Sequence, residues 1–430
     1  MKIFFFTLGC KVNQYETTLL KNIFIAKNFE IAKNEQEANI FIINSCTVTA
    51  TSDKKVSKLI NRIKNINKNA VVALTGCLPQ AFPEKMEYIK NVDIITGNTN
   101  KLKLPELVEE FIENKTKTIY VKSHEKNSSF NNEIIKKVFK IPRAFIKIQD
   151  GCDRFCTYCI IPKARGFITS KPLDILKQEV QNVCENGCCE VVLTGINLSC
   201  YGKDFKNINI MDAIKAVLSV SGVKRLRLSS LEPNLLKKDD ILSLSRKEKF
   251  CPQFHFSLQS GCNSVLKRMG RHYNKDEYIE NVNFIFKNFS NPSITTDIIV
   301  GFPGETKQEF EESLNFVEYI GFSRVHIFPY SKRPGTKAAI MPNQIPSEIK
   351  KERAKIMSNV AKKSTEKFLK NQQNKILQVL FETNSGDMYK GYSKNYCLVK
   401  VKSTSNICGK IKNVKITNFE KNYLVGTIIN

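Results

Sequence analysis

The chain's 430 residues carry 67 Lys and Arg against 41 Asp and Glu, a formal charge of +26 with His neutral. That length exceeds one ordinary hydrophobic core and implies two or three domains, and the charge favours a polyanionic partner, nucleic acid first. No apolar run approaches the roughly 20 residues of a membrane span, and the apolar start ends at Gly9-Cys10 without a cleavage site, so a cytoplasmic protein with no membrane partner is expected.

Residues 1–112 alternate short apolar runs (3–6, 40–43, 71–74 and 92–95) with amphipathic stretches, which predicts an N-terminal domain built on a parallel α/β sheet. Residues 113–137 are polar and lysine-rich with little periodicity, and read as a linker. Over 138–369, six strand-like runs, each followed by helical sequence, start near Ala144, Glu190, Arg225, His255, Thr295 and Arg324. They predict an incomplete (β/α)6 barrel, shorter than the eight-unit form. A long basic helix over 349–369 leads into 370–430, where β-rich runs at 376–381, 397–401 and 424–429 are separated by Gly386, Gly391 and Gly409. A small antiparallel β-barrel fits this tail.

Fourteen cysteines in a cytosolic chain stay reduced, so clustered ones indicate metal or catalysis. Cys152, Cys156 and Cys159 form a C-x3-C-x2-C run directly after the first barrel strand, a spacing that chance gives in roughly one or two such chains per hundred. Three thiolates on one tight loop reach three irons of a four-iron cluster and leave the fourth open for a ligand. Structural zinc is the alternative, but it wants a fourth Cys or His, and His255 is far along the chain.

Cys10, Cys46 and Cys77 each follow an apolar strand. In a parallel sheet the carboxyl ends of strands share one edge, so the three can converge on a second cluster. Buried cysteines also serve as small apolar residues, and that is the reading given to Cys184, Cys188, Cys189, Cys200, Cys251, Cys262, Cys397 and Cys408.

With both sets in place, the chain resembles the methylthiotransferase family of radical S-adenosylmethionine enzymes over nearly its whole length. The motifs are TLGCKVNQYET (7–17), NSCTVT (44–49), TGCLPQ (75–80), CIIPKARG (159–166), LTGINL (193–198), RLRLSSLEP (225–233), HFSLQSG (255–261), DIIVGFPGET (297–306) and FPYSKRPGT (328–336). Lys11-Val12 after the first cysteine is similar to the MtaB-type branch, which modifies threonylcarbamoyladenosine beside the tRNA anticodon. The isopentenyladenosine branch usually has Gln-Met there, and the branch acting on a ribosomal protein has Pro-Lys. The tail resembles the RNA-binding TRAM module. Ser45 stands where Thr is usual, and Phe167 and Ile168 replace a more basic stretch.

The resemblance implies two 4Fe–4S clusters, S-adenosylmethionine, the anticodon stem-loop of tRNA, an electron-donor protein and a sulfur source. One cofactor molecule methylates a sulfur on the Cys10–Cys46–Cys77 cluster; a second is cleaved at the Cys152 cluster to the radical that starts replacement of the adenine C2 hydrogen. Tyr158 matches the aromatic position near the cofactor's adenine. Gly195 ends a strand where its lack of a side chain lets the backbone approach the cofactor. Glu232, Ser257, Arg271 and Asp297 fall near the ends of later strands, where such barrels put their sites, although each is also suited to a helix cap or an internal pair. The same reaction on isopentenyladenosine, a noncatalytic RNA-binding protein with structural metal, and a protein-modifying enzyme, which the basic tail and Lys11-Val12 disfavour, are the competing readings.

Overall fold

The computed structural model describes residues 1–126, 128–136 and 141–429. In the first 120 residues, strands β1 (Lys2–Thr7), β2 (Glu30–Ile31), β3 (Ile40–Ser45), β4 (Val71–Gly76), β5 (Ile94–Thr96) and β6 (Thr118–Tyr120) form one sheet ordered β2-β1-β3-β4-β5-β6. Every pairing is parallel. All six residues of β3 and of β4 are buried, because helices cover both faces, and this is why those segments read as unbroken apolar runs.

The polar stretch from residue 113 is not wholly a linker. The helix Leu104–Asn114 crosses the expected boundary, and Thr118–Tyr120 adds β6 to the sheet edge; an edge strand has half-exposed faces, so its sequence lacks an apolar signature. Phe130 and Ile135 are also buried. Residues 127 and 137–140, which span the expected linker end and the start of the next domain, lie outside the described residues.

The central region contains β7 (Arg143–Asp150), β8 (Thr169–Ser170), β9 (Glu190–Gly195), β10 (Arg225–Leu228), β11 (Ser230–Leu231), β12 (Gln253–Phe256), β13 (Ser293–Val300) and β14 (Arg324–Pro329). They make two four-stranded sheets, β10-β9-β7-β8 and β11-β12-β13-β14. Continuous chain from β10 to β11 joins the sheets with a break at Ser229, so six parallel units curve into an open barrel. Alternate residues divide between its two surfaces. Ile294, Ile298 and Val300 of β13 and Leu226 and Leu228 of β10 join the helix-facing core, while Thr295, Asp297, Arg225 and Arg227 occupy the other face.

The helix Ser347–Lys370 leads into β15 (Ile376–Ser385), β16 (Met388–Ser393), β17 (Leu398–Lys402), β18 (Ile411–Glu420) and β19 (Tyr423–Ile429), a closed barrel around its own core. The expected antiparallel arrangement holds for every pair but β17–β19, which is parallel and closes the barrel. The turn 392–396 of this barrel docks on the open central one. Arg225 donates to the carbonyls of Gln378 at 2.7 Å and Tyr392 at 3.1 Å, and Arg227 to that of Lys394 at 2.9 Å. No helix among the described residues is long and apolar enough to cross a membrane.

Candidate cluster and cofactor site

Cys10, Cys46 and Cys77 stand just beyond the carboxyl ends of β1, β3 and β4, three neighbouring strands. Two glycines make the turns: Gly9 has φ +123° and Gly76 φ +106°, values that side-chain-bearing residues rarely adopt. A Cβ on Gly9 would lie 2.9 Å from the Cβ of Cys46, so the first two cysteine turns are in contact. Asn13 ties them by donating to the carbonyls of Leu8 at 3.0 Å and Ser45 at 2.9 Å. Ser45 uses its hydroxyl as its usual counterpart would, donating to the Thr75 carbonyl at 2.6 Å. Burial pushes the Cys46 thiol up to about 11, and the neighbouring Cys77 adds to the rise.

Cys152, Cys156 and Cys159 share the loop after β7. Gly151 permits its entry: a Cβ there would sit 1.8 Å from the Phe167 carbonyl oxygen. Thr157 anchors the loop, its N–H donating to the Met269 carbonyl at 2.9 Å. Burial pushes the Cys159 thiol up to about 12, whereas hydrogen bonding with Cys200 brings the Cys152 thiol down to about 6. Six of the eight cysteines assigned to packing are buried, and Cys184 and Cys408 are partly so. Cys200 does more than pack: its sulfur and the ligand atoms of Cys152 and Asp153 lie within 4.8 Å of one another.

Polar donors are aimed at these sulfurs. Arg271 Nη1 is 3.1 Å from Cys156 Sγ, Asn98 Nδ2 is 3.5 Å from Cys77 Sγ, and Asn197 Nδ2 is 3.9 Å from Cys152 Sγ. Donors around thiolates are what iron–sulfur ligation calls for, so the residues present fit two clusters of the expected type. Segments next to the two sets meet at the contact between the domains. Asn98, beside Cys77, also donates to the Ala164 carbonyl at 2.7 Å, and a cavity of about 180 Å³ is lined by Val48 and Thr49 on one side and Tyr158, Cys159 and Asp297 on the other.

The other expected site residues divide. Glu232, Ser257 and Arg271 come together: Arg271 Nη2 is 3.3 Å from the Ser257 carbonyl and 3.9 Å from Glu232 Oε1. Glu232 also accepts from Arg154 at 3.1 Å and from Asn197 at 3.4 Å. Tyr158 packs beside Cys262, Met269 and Tyr330, and burial raises its hydroxyl well above the usual phenol range. Gly195 lies against Gln149, where a Cβ would meet Oε1 at 2.9 Å; its small size serves that side chain. Asp297 sits apart, 3.2 Å from His255 Nε2 and 3.0 Å from His326 Nδ1. Burial works to raise its carboxyl, and the two histidines outweigh it, holding it well below the carboxylate range.

Sequence reasoning missed Asn13, Glu16, Asn98, Lys101, Lys147, Asp150, Arg154, Arg165 and Asn197. Several lie inside the quoted motifs, next to the cysteines they support, and that adjacency was the available signal.

Residues 2–97 match the model of "Uncharacterized protein family UPF0004", and residues 146–317 that of the "Radical SAM superfamily". The chain is 40% identical over 380 residues to a threonylcarbamoyladenosine tRNA methylthiotransferase of Aquifex aeolicus, covering 88% of this chain and 92% of that one. It is 33% identical to a tRNA-2-methylthio-N(6)-dimethylallyladenosine synthase of Natranaerobius thermophilus, over 99% and 96% of the two chains. Among solved structures, the radical S-adenosylmethionine methyltransferase TsrM of Kitasatospora setae superposes with a TM-score of 0.58 at 12% identity, covering 79% of this chain and 74% of that one.

Proposed function

Because the chain belongs to the methylthiotransferase family of radical S-adenosylmethionine enzymes, we infer that it replaces the hydrogen on carbon 2 of N6-threonylcarbamoyladenosine, beside the tRNA anticodon, with a methylthio group. The observation that supports this reading is that the elements carrying the two cysteine sets meet at the contact between the N-terminal sheet and the open barrel, where Asn98 bonds to Ala164 and Val48 and Thr49 share a cavity with Cys159. When bound, two 4Fe–4S clusters and S-adenosylmethionine supply the one-electron chemistry, the methyl group and the sulfur.

The protein's own residues hold and orient. In this reading Cys152, Cys156 and Cys159 ligate one cluster, and Cys10, Cys46 and Cys77 the other. Arg271 keeps its guanidinium on the Cys156 sulfur. Glu232, fixed by Arg154 and Asn197, presents a carboxylate to the cofactor's ammonium or hydroxyl groups. Tyr158 forms an apolar wall, Ser257 supplies a carbonyl that sets Arg271, Gly195 keeps Gln149 in place, and Asp297 orients His255 and His326 beside the cavity.

A base must leave its stack to reach carbon 2, and a single-stranded anticodon loop does so at low cost. Lys390, Lys402, Lys410, Lys412 and Lys415 are exposed on the C-terminal barrel and suit the flanking phosphates. The reaction takes place in the cytoplasm, where an electron-donor protein and a sulfur source complete the system. The relative acting on dimethylallyladenosine matches the same length of chain, so base identity is the point to test. Nucleoside mass spectrometry of tRNA from cells with and without the gene should show 2-methylthio-N6-threonylcarbamoyladenosine only when the gene is present. Loss of the methylthiolated isopentenyl or dimethylallyl nucleoside instead would refute the assignment.

A further inference from the structure

Lys11 follows Cys10 directly and opens the helix Lys11–Ala26. It is half-buried, and among the described residues it has no hydrogen-bond or ion-pair partner. Its ammonium lies 5.9 Å from the centre of the Tyr396 ring, contributed by the C-terminal barrel. Tyr396 stacks on Tyr392 at 4.7 Å, and its ring is also approached by Arg143 at 5.3 Å and Arg227 at 4.6 Å. Arg143, Arg225 and Arg227 pair with two carboxylates, Glu190 and Glu382, and neither carboxylate forms an ion pair with Lys11. Arg143 Nη1 is buried without a hydrogen-bond partner.

A partly desolvated cation with only a ring face for company is poorly compensated. It gains most from an anion. The arginines spend most of their donors on Glu190, Glu382 and backbone carbonyls, with Arg143 Nη1 and Arg225 Nε left over, and Lys11 is the cation directly beside Cys10, without a hydrogen-bond or ion-pair partner among the described residues.

We propose that Lys11 receives the free carboxylate of the threonylcarbamoyl substituent on the target adenosine and so selects this substrate over one with a hydrocarbon substituent. The proposal rests on the activity inferred above. The N6 substituent projects from the same edge of adenine as carbon 2, across N1, so a base whose carbon 2 is presented at Cys10 carries its carboxylate on the edge that meets the neighbouring residue, Lys11. A dimethylallyl group offers that ammonium nothing and leaves it desolvated and unpaired, which is how a polar site rejects an apolar analogue.

The test compares tRNA bearing N6-threonylcarbamoyladenosine with the same tRNA in which the threonyl carboxylate has been converted to its amide. The reconstituted wild-type enzyme should favour the acid about ten- to a hundredfold in kcat/KM, the range of a hydrogen bond to a charged group. Lys11→Met should lose this preference through a raised KM for the acid, and Lys11→Arg should keep most of it. Equal use of acid and amide by the wild type overturns the proposal, as does an undiminished preference in Lys11→Met. Should Lys11→Met fail to take up iron, the wild-type ratio and Lys11→Gln decide between the same outcomes. A wild type that ignores both tRNAs and modifies dimethylallyladenosine overturns the underlying activity instead, and the proposal with it.

Discussion

Arg165 donates to the carboxylate of Glu16 across 149 residues of sequence, with its own side chain fully buried. Glu16 lies on the helix that starts after Cys10, and Arg165 on the short helix that follows Cys159. Arg165 also donates to Asn13 at 2.9 Å, the residue that ties the Cys10 and Cys46 turns. Lys101, Lys147 and Asp150 complete the network. One buried ion group therefore sets the placement of the two cysteine triads.

Glu16→Gln leaves Arg165, Lys101 and Lys147 short of their shared anion, and breaking a buried pair from one side costs about 3–5 kcal/mol. The pH dependence has a definite sign. Burial works to raise the Glu16 carboxyl, but Arg165, Lys101 and Lys147 hold it well below the carboxylate range. A depressed carboxyl stabilises the fold fully above its unfolded value of about 4.3 and loses that contribution as pH falls through the folded value. Chemical denaturation should give a constant gap between wild type and Glu16→Gln from neutral pH down to about 5. The gap should close at more acidic pH. A gap that grows on acidification would mean Glu16 is protonated in the native state.

Iron content tests the division of labour between the triads. Alanine at Cys10, Cys46 and Cys77 together should lower iron from about eight to about four per chain, abolish methylthiolation and leave reductive cleavage of S-adenosylmethionine. Alanine at Cys152, Cys156 and Cys159 should stop both. Methylthiolation surviving the first triple substitution would remove the second cluster from the reaction.

Arg271 places a positive charge 3.1 Å from the Cys156 sulfur, with Tyr273 and the Ser257 carbonyl fixing its other nitrogens. A cation beside a cluster ligand favours the reduced, more negative state. Arg271→Met should move the cluster's midpoint to more negative potential by on the order of 60 mV, one tenfold step in a one-electron equilibrium. Arg271→Lys should recover part of the shift. An unchanged midpoint in an anaerobic redox titration would confine Arg271 to packing.

The parts legible in the sequence were those written in local spacing. Cysteines just past apolar strands, and three on one loop, announce themselves because parallel topology turns strand ends into a common edge. The six central strands were legible because their helix-facing residues are apolar at alternate positions. Strands β16 and β18 were missed because MYKGYS and IKNVKITNFE mix Lys, Asn and Thr into a small barrel with one face in solvent. The His255–Asp297–His326 cluster depends on register: Asp297 pairs with His326, and His255 with Thr295, which no single strand reveals. Glu16 and Arg165 meet only when two domains dock, and neither carries a periodic signal.

The strong positive charge makes its own prediction about tRNA. Lys402, Lys410, Lys412 and Lys415 are exposed on the C-terminal barrel, and each lysine set against a phosphate releases a counterion, steepening the fall of affinity with salt. With about four such contacts, raising salt from about 50 to 200 mM should weaken tRNA binding by about a hundredfold. Changing Lys402, Lys410 and Lys412 to Glu should lower affinity at every salt concentration and flatten the logarithmic slope by about two, while iron content stays at the wild-type value. The barrel's interior supports this separation, since Val399, Val401, Val414 and Ile416 fill its core and the substituted side chains point away from it. A slope unchanged by the triple substitution would move the RNA grip to another face of the protein.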